Sequence, residues 1–309
     1  MGIERSNRED SCLSDYDIKQ KLREVLRESE GGKDRAANPI SISDVILEFT
    51  KSLEQPPEPR IPTHLGQLNW ILDGGFGPGE LVYLAARAGV GKTALSLQFA
   101  TAAARAGFPT LISSHEMMIK ALARRIVSQE AGVSASALKR KELNNTDLGR
   151  IVHSSGVLSK LPLWLMDTAQ TFEEIFDVVE ELREKENLQL VIVDYLQRVH
   201  SPREIKERRL QVEHVSSSLK GMALLFGLSV LCMSAVNRPV KGQSTKPTVE
   251  SLRETGNLEH DADIILLLHR EVNSIDTELC VGKARDGATG IINMDFVSEF
   301  VRFQPTKGD

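Results

Sequence analysis

Between Leu84 and Gly107 the sequence runs LAARAGVGKTALSLQFATAAARAG, a stretch of small and glycine residues followed by a lysine and a threonine, set between an apolar segment and a helical pattern. Few folds leave a backbone so bare at such a junction. Gly89 and Gly91 permit a tight path that turns several N–H groups toward one point, and a helix opening there adds the positive end of its dipole. Both features favour a phosphate chain. The segment from Ala86 to Thr93, ARAGVGKT, therefore reads as a P-loop, with Ala88, Gly89, Val90, Gly91, Lys92, Thr93 and Ala94 as the nucleotide-binding residues. Lys92 is expected to reach the β and γ phosphates of ATP, and the Thr93 hydroxyl to hold Mg²⁺. The first position is Ala86 instead of glycine, a small residue that the loop tolerates.

A loop of this kind follows a strand of a parallel sheet, and from Ile61 onward apolar runs alternate with helical patterns. Strands are expected in ELVYLAA, TLISS, PLWLMD, LQLVIVDY, LSVLCMSA and ADIILLLHR, whose continuous apolarity suits strands covered on both faces. The run TFEEIFDVVEELREKEN begins with a capping box at Thr171 and Glu174 and repeats apolar residues at Ile175, Val178, Val179 and Leu182, which predicts a crossover helix. Near the end, LCVGKARDGATGIINMDFV has two β-like runs around a Gly-rich turn. The expected fold is α/β, a mostly parallel sheet with helices on both faces and a C-terminal β-hairpin.

Three segments are expected. Residues 1–40 form a flexible polar stretch with one short helix, marked by Ile18, Leu22, Val25 and Leu26 at helical spacing. Residues 41–60 hold a linker helix and a proline-rich connector; Ser41 and Asp44 fit a capping box, and Ile42, Val45, Ile46, Phe49 and Leu53 make an apolar face expected to dock on the main domain or a neighbouring copy. Residues 61–309 form the ATPase domain.

Composition narrows the setting. No run of eighteen apolar residues occurs and the start MGIERSNRED lacks an apolar signal region, so a cytoplasmic protein with no membrane partner is expected. Cys12, Cys232 and Cys280 are too few and too scattered for a disulfide framework or a zinc site. A net charge of -5 leaves nucleic-acid contact to a local basic stripe.

Catalysis needs further carboxylates. Asp194 ends the apolar run LQLVIVDY at the edge where ligands of open α/β sheets bind, a position suited to a second Mg²⁺-positioning group. Glu116, just past TLISS, is the preferred residue to orient or deprotonate water, with His115 and Asp167 as competitors.

Taken in order, IPTHLGQLNWILDGGF, LAARAGVGKTA, SHEM, VIVDYLQ, MSAVNR, LRETGNLEHDADIILLLHR and KARDGATG make the chain from Ile61 to about Pro305 resemble the C-terminal, RecA-like P-loop NTPase motor of DnaB-type replicative helicases. The resemblance implies a hexameric ring that threads single-stranded DNA and hydrolyses ATP between subunits, with loader or other replication proteins as partners. By position it makes Glu116 and Lys92 catalytic, Thr93 and Asp194 the Mg²⁺ residues, and Lys283 with Arg285 a basic pair offered to the neighbour's ATP. Arg253, Glu254 and Gly256 match a loop that follows the DNA backbone. The stretch RVHSPREIKERR, Arg198 to Arg209, either lines the same channel or is a solvated charge run.

Two departures stand out. The family's helical N-terminal domain is expected to be absent, and Ala235 occupies a position where the family usually has a glutamine associated with sensing the γ-phosphate, leaving Ser234 or Asn237 as substitutes. Two alternatives stay open: a RadA-like or RecA-like recombination ATPase, and a nucleotide-switched assembly or adaptor protein without translocation.

Overall fold

A computed structural model of the protein describes residues 39–200, 205, 207–236, 246–253 and 258–306. The expected helix around Ile18 to Leu26, together with Glu254, Gly256, Asn237 and part of the basic stretch after Arg198, lies outside these residues. The described residues up to Glu58 belong to one compact unit, and the sheet belongs to another that begins at Pro59.

In the first unit, helix α1 (Ile42–Ser52) starts as its sequence dictates. Ser41 caps it, accepting a hydrogen bond from the Asp44 backbone N–H at 3.1 Å and donating its own hydroxyl to the Asp44 carboxylate at 2.7 Å. Its apolar residues Ile42, Val45, Ile46 and Phe49 are all exposed.

In the second unit, the six apolar runs become β1 (Leu81–Ala86), β2 (Thr110–Ser114), β3 (Leu163–Met166), β4 (Leu190–Asp194), β5 (Ser229–Ala235) and β6 (Ile264–Arg270), all mutually parallel. Three antiparallel strands extend the sheet: β7 (Asp276–Ala284), β8 (Gly290–Val297) and β9 (Arg302–Pro305). The order is β3-β2-β4-β5-β1-β6-β7-β8-β9. The expected hairpin is β7 and β8, while β9 is an addition: four residues, RFQP, carry too short a pattern to announce a strand.

The helices of this unit are α2 (Gly66–Ile71), α3 (Lys92–Arg105), α4 (Ile119–Ala131), α5 (Ala135–Arg140), α6 (Asn145–Leu158), α7 (Phe172–Glu186), α8 (Arg208–Phe226), α9 (Glu250–Arg253) and α10 (Leu258–Asp261). No described helix is long and apolar enough to cross a membrane. Thr171 and Glu174 form the expected capping box of α7, whose buried face is Phe172, Ile175, Phe176 and Val179.

β1 shows why its sequence is apolar throughout. Side chains alternate across a strand. Val82, Leu84 and Ala86 join the core that contains Leu95, Leu97 and Phe99 of α3, whereas Tyr83 turns to the opposite face, where its hydroxyl donates to Ser216 of α8 at 2.9 Å. Helices therefore cover both faces. Each large side chain buried this way contributes about 1.5–3 kcal/mol.

The last strand locks the helix that carries the P-loop. The Gln98 amide of α3 exchanges two hydrogen bonds with the Phe303 backbone, at 2.8 and 2.7 Å, and Gln129 of α4 donates to the carbonyls of Ala94 and Val301 at 3.0 and 2.8 Å. A late strand thus holds an early helix.

Candidate nucleotide site

The predicted loop lies between β1 and α3, with Gly89 at φ 79° and Gly91 at φ 123°. Side chains resist that region, so both glycines suit their places. Gly91 has a second reason to be bare: a Cβ there would lie 2.6 Å from Cζ of Phe303. Gly91→Ala is therefore expected to push the loop off Phe303, lowering stability by about 1–3 kcal/mol and weakening nucleotide binding. Thermal melting with and without ATP checks both effects, and an unchanged melting curve would remove Phe303 from this role.

Lys92 opens α3, and its ammonium donates to the carbonyls of Ala86 at 2.7 Å and Arg87 at 3.3 Å. Burial lowers its pKa, against the raising pull of Asp194 and Glu116. Asp194 ends β4 and is 1% exposed. Burial raises its carboxyl pKa, and the hydrogen bond from Thr93, whose Oγ1 donates to Oδ2 at 2.9 Å, opposes that shift. The pair supplies two hard oxygens at one spot, the donor chemistry of a Mg²⁺ that also keeps water and phosphate ligands. No group of three metal-ligating side chains occurs among the described residues. Mg²⁺ in phosphate sites does not require one.

Around these residues is a cavity of about 340 Å³, walled by the loop and by Glu116, Arg125, Tyr195, Arg270 and Phe296. Glu116 stands exposed two residues beyond β2. Its competitors do other work. Asp167 accepts from the Ile119 N–H at 2.8 Å, at the start of α4. His115 pairs with the Ser113 hydroxyl at 3.1 Å, and its backbone N–H meets the Asp194 carbonyl at 2.6 Å. Of the three candidates, Glu116 is the one on the cavity wall.

Three wall residues carried no sequence signal. Arg125 sits on amphipathic α4 beside another arginine, where spacing does not tell a cavity-facing guanidinium from a solvated one. Burial lowers its pKa while Asp194 and Glu116 raise it. Arg270 ends β6, donates to the carbonyls of Val90 at 3.4 Å and Gly89 at 3.3 Å, and rests 4.5 Å above the Phe296 ring. Charge and aromatic face meet at the rim of the loop.

Arg285 is elsewhere. It forms an ion pair with Asp263 at 2.9 Å, and the other carboxylate oxygen of Asp263 accepts from the Leu81 N–H at 2.8 Å and from Lys220 at 2.6 Å. Leu81 begins β1, whereas the P-loop follows its end. Five residue steps at about 3.3 Å each put some 16 Å of strand between them. Arg285 in this position does not serve the cavity of its own chain. Lys283, near the end of β7, donates to the carbonyls of Glu259 and Ala262 at 2.6 Å each. Its pKa is lowered by burial first and by Arg285 next.

The remaining expected residues are less completely placed. Arg253 is the last residue of α9, and its companions Glu254 and Gly256 fall outside the described residues. Of the basic stretch, Arg198, Arg208 and Arg209 are exposed. Ala235 lines the cavity, and Ser234 beside it is fully buried.

A profile of the DnaB-like helicase C-terminal domain matches residues 60–305. Among known proteins, the replicative DNA helicase DnaB of Treponema pallidum is 34% identical over 234 residues, covering 75% of this chain and 53% of that protein. The replicative DNA helicase DnaB of Leifsonia xyli is 33% identical over 253 residues, covering 79% and 55%. Of solved structures, one described as an ATPase domain superposes with a TM-score of 0.80 at 26% identity, covering 87% of this chain and 100% of that one. A DnaB-like replicative helicase, described with its interactions with primase, gives 0.78 at 25% identity, covering 94% and 75%. The chain spans little more than half the length of the two DnaB relatives.

Proposed function

The chain belongs to the family of DnaB-like helicase C-terminal domains, and from that premise we propose that it is an ATP-driven DNA helicase or single-stranded DNA translocase that hydrolyses ATP between the subunits of a ring, which we take to be a hexamer. The observation that carries this reading is the separation of the two halves of a site. Lys92, Thr93, Asp194 and Glu116 gather at one end of β1 and Arg285 at the other, which supports completion of the cavity by the arginine of a second copy.

In this reading Lys92 leaves the Ala86 and Arg87 carbonyls for the β and γ phosphates, which the N–H groups of the loop also face. Thr93 and Asp194 hold Mg²⁺, which supplies charge neutralisation to the phosphates. Glu116 accepts a proton from the attacking water, and Arg285 of a neighbouring copy stabilises charge on the transferring group. Arg270 and Phe296 offer flat faces to the purine.

Arg253, at the end of α9, is assigned to a DNA phosphate, and the family resemblance assigns Glu254 and Gly256 to the same task. Arg253→Ala should weaken single-stranded DNA binding alike for all sequences and flatten the log-log salt dependence by about 0.7, the slope of one lost contact. A titration at several salt concentrations decides, and identical slopes would move Arg253 off the DNA. Partners such as primase or a loader remain part of the proposal, since a DnaB-like relative is described with primase.

Strand displacement on a forked duplex, with ATP and Mg²⁺, tests the whole reading. Unwinding supports a helicase. DNA-stimulated hydrolysis without unwinding leaves a translocase, and loss of both favours the nucleotide-switched adaptor. The relatives found are replicative helicases, which does not favour a recombination ATPase.

A further inference from the structure

We infer that Gln197 is a positioning residue that ties the wall of the nucleotide cavity to the exposed arginines flanking it, so that the state of the nucleotide is felt at the DNA. The inference rests on the motor reading above and concerns how its two activities are joined.

The connection starts at the lysine. The Ala86 carbonyl accepts both the Lys92 ammonium at 2.7 Å and the Val236 N–H at 3.3 Å. Lys92 has two positions to choose between, this carbonyl or a phosphate. When a phosphate takes the ammonium, Ala86 loses its charged partner and keeps the one from the end of β5. Ala86 and Ala235 are also direct neighbours in the parallel pairing of β1 with β5, so the ends of the two strands respond together.

Gln197 grips that same end of β5. It lies in the short 3-10 turn Leu196–Arg198 just past β4, half-buried. Its Nε2 donates to the Ser234 hydroxyl at 3.0 Å, and its Oε1 accepts from the Ala235 N–H at 3.4 Å. Ala235 has no polar side chain to make such contacts, and Ser234 is fully buried with its hydroxyl turned to Gln197. The amide of Gln197 is thus what anchors the strand end on this side.

The other end of the link is charged. The Gln197 backbone carbonyl accepts from Nη2 of Arg208 at 2.9 Å, at the start of α8. Arg198 adjoins Gln197 in sequence and Arg209 adjoins Arg208, and all three arginines are exposed. Guanidinium groups in this arrangement suit a phosphate backbone. A two-position lysine, a strand end, an amide with both hydrogen-bonding groups engaged and a set of arginines form a contiguous network with a defined switching element, which is what coupling between two sites needs.

The test measures the dissociation constant of a fluorescent oligo-dT strand with a non-hydrolysable ATP analogue and with ADP, and takes the ratio of the two. Wild type, Gln197→Ala, Gln197→Glu and Ser234→Ala are compared, each checked by thermal melting. Gln197→Ala is expected to shrink the ratio by about fivefold or more, within the range by which residues of such networks alter coupling. Ser234→Ala, which keeps the shape and removes the hydroxyl that accepts from Gln197, shrinks it in the same direction. Gln197→Glu retains most of the ratio, because its carboxylate accepts from both the Ala235 N–H and the Ser234 hydroxyl. A lowered melting temperature with an unchanged ratio in both alanine variants makes Gln197 a structural residue only and overturns the inference. A wild-type ratio near one overturns it together with the motor reading, so the two failures are told apart by the wild type alone.

Discussion

Lys92→Ala is expected to lower ATP turnover by about 10²–10³-fold, the loss that follows removal of one preorganised charge or donor from a reacting group. The fold should survive. The ammonium bonds only with the carbonyls of Ala86 and Arg87 among the contacts described for it, and the Ala86 carbonyl keeps the Val236 N–H as a partner at 3.3 Å. Removing a buried, partly desolvated cation also relieves the burial that lowers its pKa, so melting should change little. Phosphate release and a melting curve, measured on the same sample, separate the two effects. Turnover at the wild-type rate in a folded variant would place the nucleotide somewhere else.

The second large effect concerns the interface. Arg285→Ala is expected to reduce hydrolysis by about 10³-fold or more, the contribution of an arginine offered in trans to phosphoryl transfer. Glu116→Gln should be similarly inactive, for loss of the group that takes the proton. Mixed together, the two inactive proteins should recover part of the rate, because some interfaces then pair an intact Glu116 with an intact Arg285. Arg285→Ala should still fold, since Asp263 keeps Lys220 and the Leu81 N–H as partners. If subunits are shown to exchange and no rate returns, the two residues do not meet across an interface.

Much of the sheet could be read before any coordinates, for a definite reason. Central strands covered on both faces are apolar along most of their length, and that pattern survives in VYLA, VIVD and IILLL without knowledge of neighbours. The P-loop was equally plain because its backbone path restricts residue types at fixed spacing. Arg125, Arg270 and Phe296 were not, since each reaches the cavity from an element whose own pattern is satisfied by other residues. Whether an arginine on an amphipathic helix faces water or a cavity depends on packing across the sheet, and spacing is silent on that. Gln197 was visible only as part of a motif. Its contacts to Ser234 and Ala235 come from the adjacency of β4 and β5, strands that other elements separate in sequence.

The clasp between Gln98 and Phe303 joins residues 205 positions apart in the chain. During synthesis, the glycine loop and its lysine emerge while the strand that will back them has yet to be made. Gly91 has no wall until Phe303 arrives. Contacts this distant in sequence form late, because the chain between them must first be ordered. A half-made chain on the ribosome therefore carries every residue of the phosphate cradle without the support that holds it in shape. Full support for the loop comes only with completion of the sheet.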